Sequence, residues 1–344
     1  MKERYYLSLF SALGPSLMGL AFFYSGFFVF LTPVVYAYAF TRRGGKSLAS
    51  HVCASSLIVF FIAFFLMPKF YLFYTTSPHW AWLFPIPAMN LFPIVGHFWA
   101  TLFSLGYFLI MACFALVTGY SLQIKSLFYY LVRLGLLGLL ILSTFVLIYV
   151  NMKDVSISSV LTDYYSSSLG EFLTLQEQAG LPADQLEYLK EYTPNLVKLM
   201  SLLTPSFAFI SIIGILLLNI ILLRRLFAMM KILPLRSLLS DWHVPFSGVW
   251  VVISALTIVV GWINGFAVPY LMPVVLNILF ILGFLYYIQG LGIILYYFDK
   301  KEVSFLVKVF FYSFILLLFQ VSTLALVATG FFDSWFDFRK MAKK

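Results

Sequence analysis

The sequence predicts an all-α polytopic membrane protein, with about nine or ten transmembrane helices and one extracytoplasmic helical hairpin inserted among them. Composition is the first reason. Of 344 residues, 62% are hydrophobic and only 10% charged, against about 25% charged in a soluble domain. With a mean hydropathy of +0.99, the chain has too much apolar surface to hide by folding on itself, so lipid must solvate most of it. The second reason is pattern. Backbone in hydrocarbon must pair within the chain, which leaves helices or a closed barrel, and the apolar runs here are continuous rather than alternating. The third is charge. Residues 151–203 carry a net −4, from Asp154, Asp163, Glu171, Glu177, Asp184, Glu187 and Glu191 against three lysines, so the rest of the chain holds +13 of the overall +9. Bases in short loops on one side and acids on the other follow the positive-inside pattern, not a nucleic-acid-binding one.

The spans fall near residues 7–23, 26–40, 47–67, 97–122, 127–150, 203–223, 247–264, 270–297 and 305–330. The charged and apolar start reads as an uncleaved first helix rather than a signal peptide, because no small-residue cleavage site follows it. Three regions result: helices at 1–150, an acidic helical insertion at 151–203, and helices with an interfacial tail at 204–344. In the insertion, "GLPADQLEYLKEY" reads as a helix start with Asp184 as N-cap and Glu187 three residues on. The bases Lys2, Arg4, Arg42, Arg43, Lys46, Lys125, Arg224, Arg225, Lys300 and Lys301 all fall at ends assigned to the cytoplasm. Nine spans would leave Arg339, Lys340, Lys343 and Lys344 outside. A break near Gln320, returning residues 305–334 as two half-spans, brings the C-terminus back to the cytoplasm with the N-terminus. The stretch 68–96, with Pro68, Pro78, Pro85, Pro87 and Pro93, cannot be a regular helix. It reads as an interfacial loop or a re-entrant segment, with Trp80 and Trp82 suited to an interface or a cavity wall.

Little in the chain points to catalysis. No acid lies inside a predicted span, which argues against proton or sodium coupling. His51, His79, His97 and His243 lack metal-pair spacing, Cys53 and Cys113 sit in apolar runs, and neither a nucleophile elbow nor a phosphate loop is present. No enzyme activity, metal or other cofactor is expected. The polar groups within spans are the amides Asn219, Asn277, Gln289 and Gln320. Each wants a partner, either as glue between helices or converging on a neutral small ligand, with Trp80 and Trp82 from the 68–96 stretch. Ser8, Ala12 and Ser16 form a small-residue stripe for close helix packing, within the chain or against a partner.

The ending "GFFDSWFDFRK", Gly330 to Lys340, together with "NILFILGFLYYIQGLGIILYYF" upstream and the acidic insertion, resembles the YybS-like family of predicted bacterial membrane proteins, named for domain of unknown function 2232. The pattern Gly330, Asp333, Asp337, Phe338 and Arg339, with Asn277, Gln289 and Gly290, carries the resemblance. Family members often have proline within the stretch that here reads "FQVST", in keeping with a break there. At the level of fold the resemblance extends to the substrate-binding S components of energy-coupling-factor transporters and to the rod-shape protein MreD. It implies a bacterial inner-membrane protein, first of all an S-component-like protein for small-molecule binding and uptake with no ATPase of its own. Ser8, Ala12 and Ser16 would then dock a membrane-embedded coupling subunit with its ATPases. The alternative is an MreD-like envelope scaffold or assembly protein whose partners are other envelope proteins. In either case Phe331, Phe332, Trp335, Phe336 and Phe338 would seat the tail at the membrane surface. Asp333 and Asp337, four apart, would pair with Arg224, Arg225 or Arg236, and Arg339 would meet anionic lipid.

Overall fold

The computed structural model describes residues 14–25, 28–66, 97–121, 126–230, 238–265 and 271–339. Ser8, Ala12, Trp80, Trp82 and the 68–96 stretch lie outside them. Among the described residues every regular element is helical. The helices are α1 (described over 14–24), α2 (Thr32–Arg43), α3 (Gly45–Phe61), α4 (His97–Tyr120), α5 (Leu127–Lys153), α6 (Ile157–Gln178), α7 (Ala183–Met229), α8 (Ser247–Ile263), α9 (Met272–Lys300), α10 (Phe305–Leu317) and α11 (Phe319–Phe336). Among the described residues four stretches are long and apolar enough to cross a bilayer, namely Gly45–Leu66, Leu127–Ile148, α7 and α9, and the pair α10–α11 is apolar enough only when taken together, bent as in a broken span or a re-entrant loop. The chain is therefore a multi-pass membrane protein. Over the described part of the span expected at 26–40, a single 3-10 turn at Val29–Leu31 leads into the 12-residue α2. At about 1.5 Å per residue, or roughly 18 Å, α2 is too short to cross alone.

Two compact units divide the chain: Met1–Leu127 with Gly214–Leu235, and Phe128–Ile213 with Arg236–Lys344. In the first, Phe23, Tyr36, Val59, Phe108 and Leu223 are fully buried in one core. Polar groups within it pair helix to helix. Ser16 Oγ lies 3.0 Å from His51 Nδ1, and the Tyr36 hydroxyl donates to Ser55 Oγ at 2.7 Å.

The course of α7 departs from expectation. A boundary is expected near 203, between acidic insertion and span, but one 47-residue helix runs through it. At about 1.5 Å per residue it is roughly 70 Å long, more than twice the hydrocarbon core of about 30 Å. The helix begins at Ala183, so Asp184 sits in its first turn rather than capping it. There its charge still favours the positive end of the helix dipole. Gly135 and Gly138 of α5 face Phe209 and Ile212 of α7, where an added Cβ would come within 2.7 and 2.9 Å of those side chains.

The predicted break in the last span is present. Its position is Leu318, and α10 and α11 diverge there by 109°. Three pairings fix the direction of α11. Gln289 meets Asp333, Gly290 packs on Gly330, and the Tyr297 hydroxyl donates to Phe338 O at 2.8 Å. The two series advance together, so α9 and α11 run parallel. Consecutive parallel helices need a return between them, and α10 is that return. The described part of the segment after α11 thus lies toward the C-terminal end of α9, where Tyr297 meets Phe338.

Candidate functional site

The C-terminal signature builds a polar knot where α9, α11 and the loop before α8 converge. Backbone proximity comes first. A Cβ on Gly290 would run into Leu326 O, one on Gly330 into Tyr286 O, and one on Gly292 into Leu239 O. Only glycine lets these backbones touch, which is the packing role that small residues take in membrane helices. That approach brings Gln289, fully buried, within reach of both neighbours. Its Oε1 accepts from Val244 N at 2.8 Å, and its Nε2 donates to Asp333 Oδ2 at 2.9 Å.

Asp333 is 3% exposed and fully engaged. Oδ2 also accepts from Arg339 Nη2 at 2.7 Å, and Oδ1 accepts from Phe338 N at 2.9 Å. Arg339 spends its other terminal nitrogen on the loop, donating from Nη1 to Ser240 O and to Trp242 O, each at 2.8 Å. The geometry depends on how α11 ends. Asp337 is the C-cap, in the left-handed region at φ 40°, with its N–H bonded to Asp333 O at 3.0 Å. Aspartate is one of the few residues besides glycine that tolerate this conformation. The turn reverses the chain and aims Arg339 back at Asp333.

These positions correct two expectations. Asp333, expected to pair with Arg224, Arg225 or Arg236, pairs with Arg339 of its own segment; Arg236 lies outside the described residues. Arg339 is buried at 2% exposure and does not meet lipid headgroups. An ion pair this buried must have its remaining hydrogen-bonding groups satisfied to offset desolvation, and the loop carbonyls, Gln289 and Phe338 N supply most of that. His243, in the same loop outside the membrane-spanning segments, is held below the ordinary 6.5, first by loss of hydration and then by the Arg339 guanidinium; Asp333 and Asp337 pull the other way.

Within the second unit Asn277 and Gln289 take different partners. Asn277 sits twelve residues before Gln289 on α9, where it repairs α7. Ser206 N, just after Pro205, donates to Asn277 Oδ1 at 3.0 Å, and Asn277 Nδ2 donates to Leu202 O at 2.9 Å. In an unbroken helix Ser206 N–H would donate to Leu202 O directly. The proline ring prevents that closure, and the amide is inserted in the gap. The Ser206 hydroxyl bonds to Asn277 Oδ1 as well. Asn219 belongs to the first unit, where its Nδ2 donates to Phe30 O at 2.8 Å and Ile215 O at 2.7 Å. Gln320 is exposed beside the break. Ser16 is 3% exposed and turned toward His51. Trp335 is half exposed, edge-on to Phe331 at 4.9 Å and Phe246 at 6.3 Å.

Sequence reasoning found Asp333, Arg339, Gln289 and the glycines but missed the loop "LSDWHVP" that they grip. Its signal is a tryptophan set among polar residues. Trp242 is 1% exposed, edge-on to Phe128 at 5.3 Å, and donates from its indole to Leu285 O at 3.3 Å.

The fold and the knot define an all-helical, multi-pass membrane protein braced by buried polar groups. A family model described as "Predicted membrane protein (DUF2232)" matches residues 57–334, most of the chain, and the protein belongs to that family. No curated protein and no solved structure gives a match.

Proposed function

We propose that this protein is a non-catalytic membrane scaffold that holds other envelope proteins in place. The observation that carries the reading is the use made of Asn277 and Gln289. Each amide has both ends spent on bracing backbone or side chain within the second unit, at two separate levels of α9. The burial of Ser16 supports the same reading, because a stripe that docks a coupling subunit needs an outward face. By the positive-inside rule, Lys300 and Lys301 favour a cytoplasmic position for the end of α9 and the C-terminus beside it.

One observation favours a second reading, S-component-like uptake of a small molecule. The break at Leu318, with Gln320 exposed next to it, is the kind of helix interruption that transporters use at their binding sites. Native mass spectrometry from lipid nanodiscs separates the two. A ligand-free protein accompanied by envelope proteins supports the scaffold. A bound small molecule, with an ATPase coupling module alongside, overturns it in favour of uptake.

A further inference from the structure

The pair α6–α7 carries a feature that the knot does not explain. Ser156 caps α6, its Oγ accepting from Ser159 N at 3.0 Å. A tight turn with Gly180 at φ 81° then starts α7. The pair is tied at its base, where the Tyr165 hydroxyl lies 3.1 Å from Thr204 Oγ1. Between base and turn the helices leave an open groove of about 550 Å³, lined chiefly by Phe172, Gln176, Leu181, Asp184, Tyr188 and Leu189. Its aromatic walls are bare: Phe172 is 46% exposed and Tyr188 59%. Apolar surface rimmed by polar groups marks an interaction site. Lipid does not account for it, because α6 is not among the helices apolar enough to span.

Charge identifies the occupant. From residue 157 to 197 the chain has six acids (Asp163, Glu171, Glu177, Asp184, Glu187 and Glu191) and one base, Lys190. An anionic membrane surface would be repelled. We propose that this groove docks a basic amphipathic segment of a partner protein, with large apolar side chains between Phe172 and Tyr188 and Lys or Arg against the acidic rim. This rests on the scaffold reading only in supposing a protein partner. Complementary charge steers such an encounter and makes it salt-sensitive, while the apolar floor holds the complex.

The test uses the full chain in nanodiscs. Its probe is a fluorescein-labelled synthetic helix with leucine and phenylalanine on one face and arginine on the other, read by anisotropy against a version carrying glutamate in place of arginine. The wild type is expected to bind the arginine peptide and not the glutamate one, more weakly as salt rises. Phe172→Ser with Tyr188→Ser keeps every charge and is expected to weaken binding at least about tenfold, as is Asp184→Asn with Glu187→Gln. These side chains are solvent-facing, and unchanged helicity by circular dichroism checks that the variants remain folded. Equal binding by the serine variant would mean that charge alone attracts the peptide, and the groove proposal fails. It fails equally if the wild type binds neither peptide. Failure with the co-purifying envelope proteins unchanged leaves the scaffold reading standing, whereas a bound small molecule in place of proteins removes that reading itself.

Discussion

Asp333 and Arg339 are six residues apart in sequence and 2.7 Å apart in space, with a helix end between them. The short loop they enclose exists only because Asp337 takes the left-handed conformation. Arg339→Ala leaves a buried carboxylate without its cation, so it is expected to destabilise the second unit by about 3–5 kcal/mol. Replacing both partners, Asp333→Leu with Arg339→Met, removes the uncompensated charge and is expected to recover most of that loss. Thermal unfolding of the wild type and the two variants in lipid checks the order. A double variant no better than Arg339→Ala would show that the loop contacts, rather than the charge pairing, dominate.

Asn277 and Pro205 should be energetically coupled. With proline present, Asn277→Ala strips partners from Ser206 N–H and Leu202 O and is expected to cost about 1–3 kcal/mol. With Pro205→Ala as background, the helix can close its own ladder and the same substitution should cost far less. A double-mutant cycle with no coupling would refute the splint.

Glycines of α9 and α11 should respond differently according to what they face. Gly290→Ala and Gly330→Ala drive a methyl group into opposing backbone, and each is expected to lose about 1–3 kcal/mol. Gly283, also on α9, has no atom near its Cβ position. Gly283→Ala is expected to be neutral or to gain up to about 1 kcal/mol from helix propensity. Melting temperatures of the three variants measure the contrast.

The return of α10 makes a topological prediction. Cys53 and Cys113 are exposed free thiols and are first replaced by serine. Single cysteines at Glu302 and Phe336 should then react with an impermeant maleimide added from the same side of a sealed vesicle. One at Leu317, 83% exposed in the apolar tip of the pair, should react from neither. Labelling of Glu302 and Phe336 from opposite sides would show that α10–α11 crosses as one span.

His243 gives the knot a pH dependence. Its folded pKa lies below the ordinary 6.5, so between the two values the unfolded chain binds more protons than the folded one. Stability should therefore rise with pH through this window, and fall as pH drops below about 6.5. His243→Gln should flatten that part of the profile in pH-resolved thermal scans.

Much of this was legible in the sequence because lipid imposes simple rules. The helical class and the break in the last span follow from hydropathy, charge and turn residues. The continuity of α7 was not legible. Pro194 and Pro205 look like boundaries, and the side chain that carries the helix past Pro205 lies on α9, more than seventy residues away. The partner of Asp333 was missed for a related reason. Spacing of four suggested that Asp333 and Asp337 share a helix face, but the helix ends at Phe336 and the turn hands the pairing to Arg339. Local rules place polar groups at helix ends without saying which tertiary neighbour claims them.

The parallel course of α9 and α11 also bears on how the chain is made. Because α10 and α11 enter and leave at the same end of α9, Lys301, Glu302, Asp333, Asp337 and Arg339 all lie toward that end. The tip of the pair is apolar except for Gln320 and small hydroxyl residues. The last segment can therefore dip into the bilayer after α9 is in place, without moving an ion pair across hydrocarbon, and the Asp333–Arg339 clasp can close last, once the loop at 238–246 is there to receive it.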